Sequence, residues 1–154
     1  MMDRAILDAL ERSLADVLRM LSHREATSEV AERCGYDLPP ASWALLEHLD
    51  THGALRVSQI AACHGVDISS VTPRLKRLEK AGLVRRERVD SDARAFLISI
   101  APNGTHALES IHAARREILE QALVGVDPAN AAVTSDVLRR VAAHLSVDPL
   151  VSAG

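Results

Sequence analysis

Ser70-Val71-Thr72-Pro73-Arg74-Leu75-Lys76-Arg77-Leu78-Glu79-Lys80-Ala81-Gly82-Leu83-Val84 (residues 70–84) is the stretch on which the fold turns. Val71, Leu75 and Leu78 recur at the spacing of one helical face, and the charged residues between them fall on the other. Ser69 or Ser70 can cap the start of this helix. Pro73 falls near its first turn, where a missing N–H costs little. Gly82 then ends it, and the period changes. Leu83–Val89 reads as a strand, Asp90-Ser91-Asp92-Ala93 as a polar turn, and Phe96–Ile100 as a second strand pairing back on the first.

Just upstream, Ser58 to about His64 reads as a short helix with Ser58 as its cap, closed by Gly65. Ala61 permits close approach of two helices, Gly65 follows four residues later and Val71 six after that, while Ile60 and Val66 supply apolar contacts. Helix, glycine turn, helix and hairpin is the order of a winged helix-turn-helix. In that arrangement Ser69, Ser70, Thr72, Arg74 and Arg77 point away from the core. They are donors of the kind that reach base edges and phosphates in a major groove. The competing reading is a bare helical hairpin with solvated charges.

Further out, Pro39-Pro40 precede a helix carrying Trp43, Leu45, Leu46 and Leu49, which Gly53 ends. A first helix is expected over about Asp3–Arg33. Its Leu7, Leu10, Leu14, Val17 and Leu21 form a heptad seam that serves either a partner subunit or the chain's own core. A fifth helix runs from about Pro102 to Leu123 with Leu108, Ile111, Ile118 and Ala122 inward. Asp127 caps a sixth, with Pro128 at its first position and Val133, Val137, Leu138, Val141 and Leu145 as its stripe. The fold class is therefore mainly α, with six helices and a small β-hairpin wing. Residues 1–38 and 102–148 form flanking helical regions, 39–101 the winged helix-turn-helix, and 149–154 a flexible tail.

Charge distribution supports the same reading. Arg74–Arg94 holds eight cations and four anions, so this segment is +4 while the remainder of the −3 chain is −7. That is the pattern expected of a local phosphate-binding surface on an acidic body, the competing reading being a solvated basic face. Only 2% of the 154 residues are aromatic, which argues against single-strand or RNA recognition by stacking. No apolar run has the length of a membrane span, the N-terminus lacks a signal-peptide core, and two cysteines make no disulfide framework, so a cytoplasmic protein is expected.

Residues 70–84 resemble the recognition helix of the MarR family (multiple antibiotic resistance regulators). Asp92-Ala93-Arg94, followed by Ile98-Ser99-Ile100-Ala101-Pro102-Asn103-Gly104, resembles that family's wing and exit pattern, Asp-x-Arg, a strand, then Leu-Thr-x-x-Gly. Ile100 and Ala101 depart from the Leu-Thr pair. The resemblance implies an intertwined helical homodimer held by the first, fifth and sixth helices, with residues 1–38 and 102–148 as its dimerisation region and each recognition helix in a major groove of duplex DNA. It implies that Arg94 enters the adjacent minor groove with Asp92 orienting its guanidinium, and Arg88 joins the DNA-facing set. It also implies a regulator, usually a repressor, released from a palindromic operator by a small organic effector. Trp43, with Met20, His23 and His112, is the candidate pocket for that effector.

Other inputs are weaker on the sequence. Hydroperoxide-sensing relatives place a reactive Cys in the first helix, and this chain has none there. Cys34 and Cys63 read as small core hydrophobes. His48 and His52, one turn apart, read as dipole-favoured surface residues near a helix end rather than metal ligands. No cofactor or metal is expected. No nucleophile elbow, P-loop, dinucleotide fingerprint or His-Glu-x-x-His is present, so no enzyme is expected. A winged-helix module for protein contacts should be less basic and more aromatic.

Overall fold

The computed structural model describes residues 1–89 and 92–145, with backbone alone at 92–94. The expectations for the Asp90–Ser91 turn, the side chains of Asp92 and Arg94, and the tail 149–154 lie outside the described residues. The order of elements is α1 (Arg4–Leu21), α2 (Arg24–Cys34), α3 (Pro40–His52), β1 (Leu55–Arg56), α4 (Val57–Cys63), α5 (Ile68–Lys80), β2 (Val84–Val89), β3 (Asp92–Ile100), α6 (Pro102–Ala122) and α7 (Pro128–Leu145). The strands form one antiparallel sheet in the order β1-β3-β2.

The core lies where α3, α4, α5 and the base of the sheet meet α6. Leu45, Leu46, Leu49, Ile60, Val71, Leu75, Leu78, Ile98 and Ile111 are essentially solvent-free there, and Trp43 is buried beside them. Each full burial of such a side chain contributes about 1.5–3 kcal/mol. The helix α6 threads from the wing's exit back against α2, where Arg33 reaches Gln121 (3.0 Å) and Glu117 (3.5 Å). By contrast, α1 and α7 bury no residue within the single chain. Leu7, Leu10, Val17 and Leu21 on α1, and Val133, Val137, Leu138, Val141 and Leu145 on α7, all face solvent.

Several boundaries differ from the sequence reading. The expected first helix is two helices. Ser22 closes α1 by turning its hydroxyl onto the Leu18 carbonyl (3.0 Å), and His23 is extended before α2 begins. Among the described residues, seven helices therefore stand where six were expected. The strand β1 carries two residues, too few to show a period. Arg56, not Ser58, precedes α4, and the Gln59 side chain accepts the Arg56 N–H at 2.9 Å. Asp67, not a serine, stands at the start of α5, so Pro73 is the sixth helical residue and leaves the Ser69 carbonyl without its usual donor. The strand β3 starts at Asp92 rather than Phe96, with a register shift between Arg88 and Val89. Ile118 is only half-buried and Ala122 is exposed, because α6 runs past the core of its own chain. Asp127 does cap the last helix, accepting the Ala129 N–H at 2.9 Å.

Candidate nucleic-acid interface

The turn between α4 and α5 works through small residues. Ile60 and Ala61 are buried against α5, Gly65 takes φ +60°, and the Val66 N–H bonds the Ala61 carbonyl at 3.1 Å. A left-handed φ there suits glycine, which pays no Cβ penalty. The Val66 side chain, expected to pack between the helices, is exposed; its backbone makes the contact instead. With Val71, Leu75 and Leu78 buried, α5 presents the opposite face outward. Ser69, Ser70 and Arg77 are exposed on it, and Thr72 and Arg74 are half-buried. The Thr72 hydroxyl donates to the Ile68 carbonyl at 2.8 Å.

The hairpin β2–β3 stands beside this helix. Arg86 pairs with Glu79 of α5 (3.7 Å), tying the wing to the end of that helix. Arg85 pairs with Glu87 (2.8 Å), and Ser99 bonds both. Arg88 is exposed and has no ion pair among the described residues. Of the expected site residues, Ser69, Ser70, Thr72, Arg74 and Arg77 lie on α5 and Arg88 on β2 of the hairpin that Arg86 ties to α5. Arg94 and Asp92 belong to β3, on the strand that faces β2.

Three histidines cluster behind α5. The rings of His48 and His52 lie 4.4 Å apart by centroid, and His48 and His64 lie 5.2 Å apart. Burial, and then the Arg74 guanidinium, push the His64 imidazolium below the ordinary histidine range. His64 is thus held neutral in the fold. Well above pH 6.5 it is neutral folded or unfolded and has no effect on stability. As pH falls through about 6.5 the unfolded chain takes the proton first, and stability drops until the folded His64 also titrates. The melting temperature is expected to fall between pH 8 and pH 5.5, and to fall less in His64→Gln. Equal falls in both proteins would contradict this role for His64. No group of three or more His, Cys, Asp or Glu among the described residues is arranged to hold a metal ion.

A cavity of about 160 Å³ opens where α1, α2, α3 and α6 converge, lined by Leu21, Ala26, Thr27, Val30, Leu38, Pro40, Trp43, Ile111 and Arg115. Trp43 is in its wall, with Tyr36 edge-on to the indole at 6.1 Å. Met20 and His23 are exposed near the α1–α2 junction and are not in the lining. His112 follows Ile111 on α6 but is not in the lining, and its Nε2 lies 3.2 Å from Glu47 Oε1. Arg115 Nη1 donates to that same oxygen at 2.6 Å. Sequence reasoning missed Arg115 and the residues of α2. The four-residue step from Ile111 to Arg115, on the face that also carries Leu108, was the available signal.

A three-helix unit with a hairpin packed on its last helix defines a winged helix-turn-helix. The MarR family model matches residues 38–96. The HTH-type transcriptional regulator YdgG of Bacillus subtilis is 30% identical over 107 residues, covering 68% of each chain. The HTH-type transcriptional repressor MdtR of the same organism is 34% identical over 84 residues, spanning 54% of each chain. A MarR family protein from Bacillus stearothermophilus has the same fold, with a TM-score of 0.77 over 94% of this chain and 99% of that one at 21% identity. The chain belongs to the MarR family of DNA-binding transcriptional regulators. Among the described residues no helix is long and apolar enough to cross a membrane.

Proposed function

We propose that the chain is a homodimeric repressor that binds a palindromic operator in duplex DNA and is released by a small organic effector. The observation that carries this reading is the pairing of two surfaces. One is the helix-and-wing face bearing Ser69, Ser70, Thr72, Arg74, Arg77 and Arg88. The other is the apolar, solvent-facing pair α1 and α7, which bury nothing in a single chain. Contiguous apolar stripes of that length call for a partner, and a second copy supplies one by two-fold symmetry. Residues 1–38 and 102–148 form the dimerisation region in this reading, and 39–101 the DNA-reading region. MdtR, the relative described above, is a repressor.

The effector reading rests on the cavity beside Trp43. It lies between α6, which leads into the dimerisation region, and α3, the first helix of the DNA-reading region. A ligand bound there touches both and can favour one angle between them.

Sedimentation velocity tests the assembly and the DNA partner together. The free protein is expected to run as two subunits at micromolar concentration. With a duplex from the region upstream of its own gene it should form a complex of one dimer per site, footprinted as two half-sites about 10 bp apart. A folded monomer, or a footprint of one isolated half-site, would sink the reading.

A further inference from the structure

We propose that Phe96 is a positioning residue for DNA binding, its ring serving as a platform that holds the Arg88 guanidinium ready for a phosphate. Phe96 is the only phenylalanine in the chain. It is half-buried on β3, directly opposite Arg88 of β2 in the sheet register. The guanidinium carbons of Arg86 and Arg88 lie 5.4 and 5.9 Å from its ring centroid. Both distances are within the range in which the negative face of a ring attracts a cation. Residues 86 and 88 share one face of the strand, so their charges would repel each other if left alone.

The two arginines differ in what else holds them. Arg86 has Glu79 on α5, which offsets its charge and draws it toward the helix. Arg88 has no carboxylate partner among the described residues, and its guanidinium carbon lies 5.9 Å from the centre of the Phe96 ring. A long exposed side chain ordinarily gives up rotamer freedom when it grips a phosphate. A guanidinium already resting on a ring has given up part of that freedom before DNA arrives. Stacking leaves the edge N–H groups of the planar fork open to phosphate oxygens, which is why arginine rather than lysine suits this arrangement. The ring itself makes no charge contact, so it should change affinity without changing how many phosphates are neutralised.

The inference rests on the DNA-binding reading of this face, and the experiment separates the two. Binding of a mixed-sequence duplex of roughly 30 bp is measured across a salt series for the wild type, Phe96→Leu, Phe96→Tyr, Arg88→Ala, Arg74→Ala and the Phe96→Leu/Arg88→Ala double variant. Melting temperature and dimer state are checked in each. A phosphate contact is sequence-independent, so this duplex suffices as the probe. Phe96→Leu should weaken binding about two- to fivefold per wing, the range for an exposed cation–ring contact. Its salt slope should match the wild type, whereas Arg88→Ala should lower the slope by about one per wing. Phe96→Tyr should bind like the wild type. In the Arg88→Ala background, Phe96→Leu should have no further effect. An equal loss from Phe96→Leu in both backgrounds would mean that the ring touches DNA or shapes the wing directly, and would overturn the proposal. So would wild-type binding by Phe96→Leu while Arg88→Ala and Arg74→Ala are weakened. If neither arginine variant loses affinity, the DNA-facing assignment of this surface fails as well.

Discussion

Gly104→Ala is expected to destabilise the fold by on the order of 3 kcal/mol. For a chain of this length that corresponds to a fall in melting temperature of roughly 6–12 °C. Gly104 lies in the first turn of α6 and is buried against the base of the wing. A Cβ at this position would stand 2.1 Å from the Leu83 carbonyl oxygen and 2.7 Å from Ile100 Cγ1. The carbonyl cannot step aside cheaply, because it accepts the Ala101 N–H at 2.9 Å while the Leu83 N–H holds the Leu78 carbonyl at 2.9 Å. These bonds join the end of α5, the start of β2 and the start of α6, so a shift at Leu83 moves all three. Helix propensity alone predicts the opposite sign, since alanine in a helix is favoured over glycine by about 1 kcal/mol. A thermal melt therefore decides by direction. An unchanged or raised melting temperature would mean that α6 does not approach the wing base this closely.

The same glycine shows how far the sequence could be read. The exit pattern ending in Gly104 was visible, but its purpose was not, because the clashing atoms belong to Leu83, just before β2, and to Ile100 at the end of β3. The winged helix-turn-helix was legible because local signals agreed. Val71, Leu75 and Leu78 gave the buried face of α5, Gly65 and Gly82 gave the turns, and the change of period after Gly82, with a polar turn between two strand-like runs, gave the wing. The break at Ser22 was hidden because the apolar spacing of α1 continues to Leu21 and helix-forming residues resume at Arg24. The cap of α5 was misread because Asp67, Ser69 and Ser70 all suit a helix start, and Asp67 takes the place without a side-chain cap bond that would single it out. For the cavity, Trp43 was singled out as the large aromatic, whereas Arg115 was not. Its ion pair with Glu47 joins residues 68 positions apart, and no local period records such a pairing. The exposure of the α1 and α7 stripes has a related cause. A heptad seam has the same spacing whether it faces its own core or a second copy.

Arg94→Ala is expected to weaken operator binding by on the order of 2–6 kcal/mol per dimer, taking about 1–3 for each good contact, while fold and dimer persist. Arg94 belongs to β3 near the far end of the hairpin from the core, and the family pattern Asp-x-Arg falls on Asp92-Ala93-Arg94. A side chain at a wing tip has little to pack against, so its removal costs little stability. In a narrow minor groove the potential is most negative, and acceptors on base edges and sugars offset the desolvation of a guanidinium. Two wings on one operator lose that contact twice. Asp92→Ala should give a smaller loss in the same direction, since the role proposed for its carboxylate is to orient Arg94 rather than to touch DNA. The control is Arg139→Ala. Arg139 lies on α7, exposed and paired with Asp136 at 2.8 Å, an i,i+3 pair on the helix surface that contributes little to stability. Its removal takes away the same formal charge from each subunit, so it corrects for the general effect of a less positive protein. Operator affinity of the three variants at one salt concentration, with melting temperature and sedimentation alongside, gives the comparison. Wild-type affinity in Arg94→Ala, with Arg139→Ala also unchanged, would mean that the wing does not enter the groove and that α5 alone carries the docking. A loss as large in Arg139→Ala would mean that net charge rather than a wing contact governs binding.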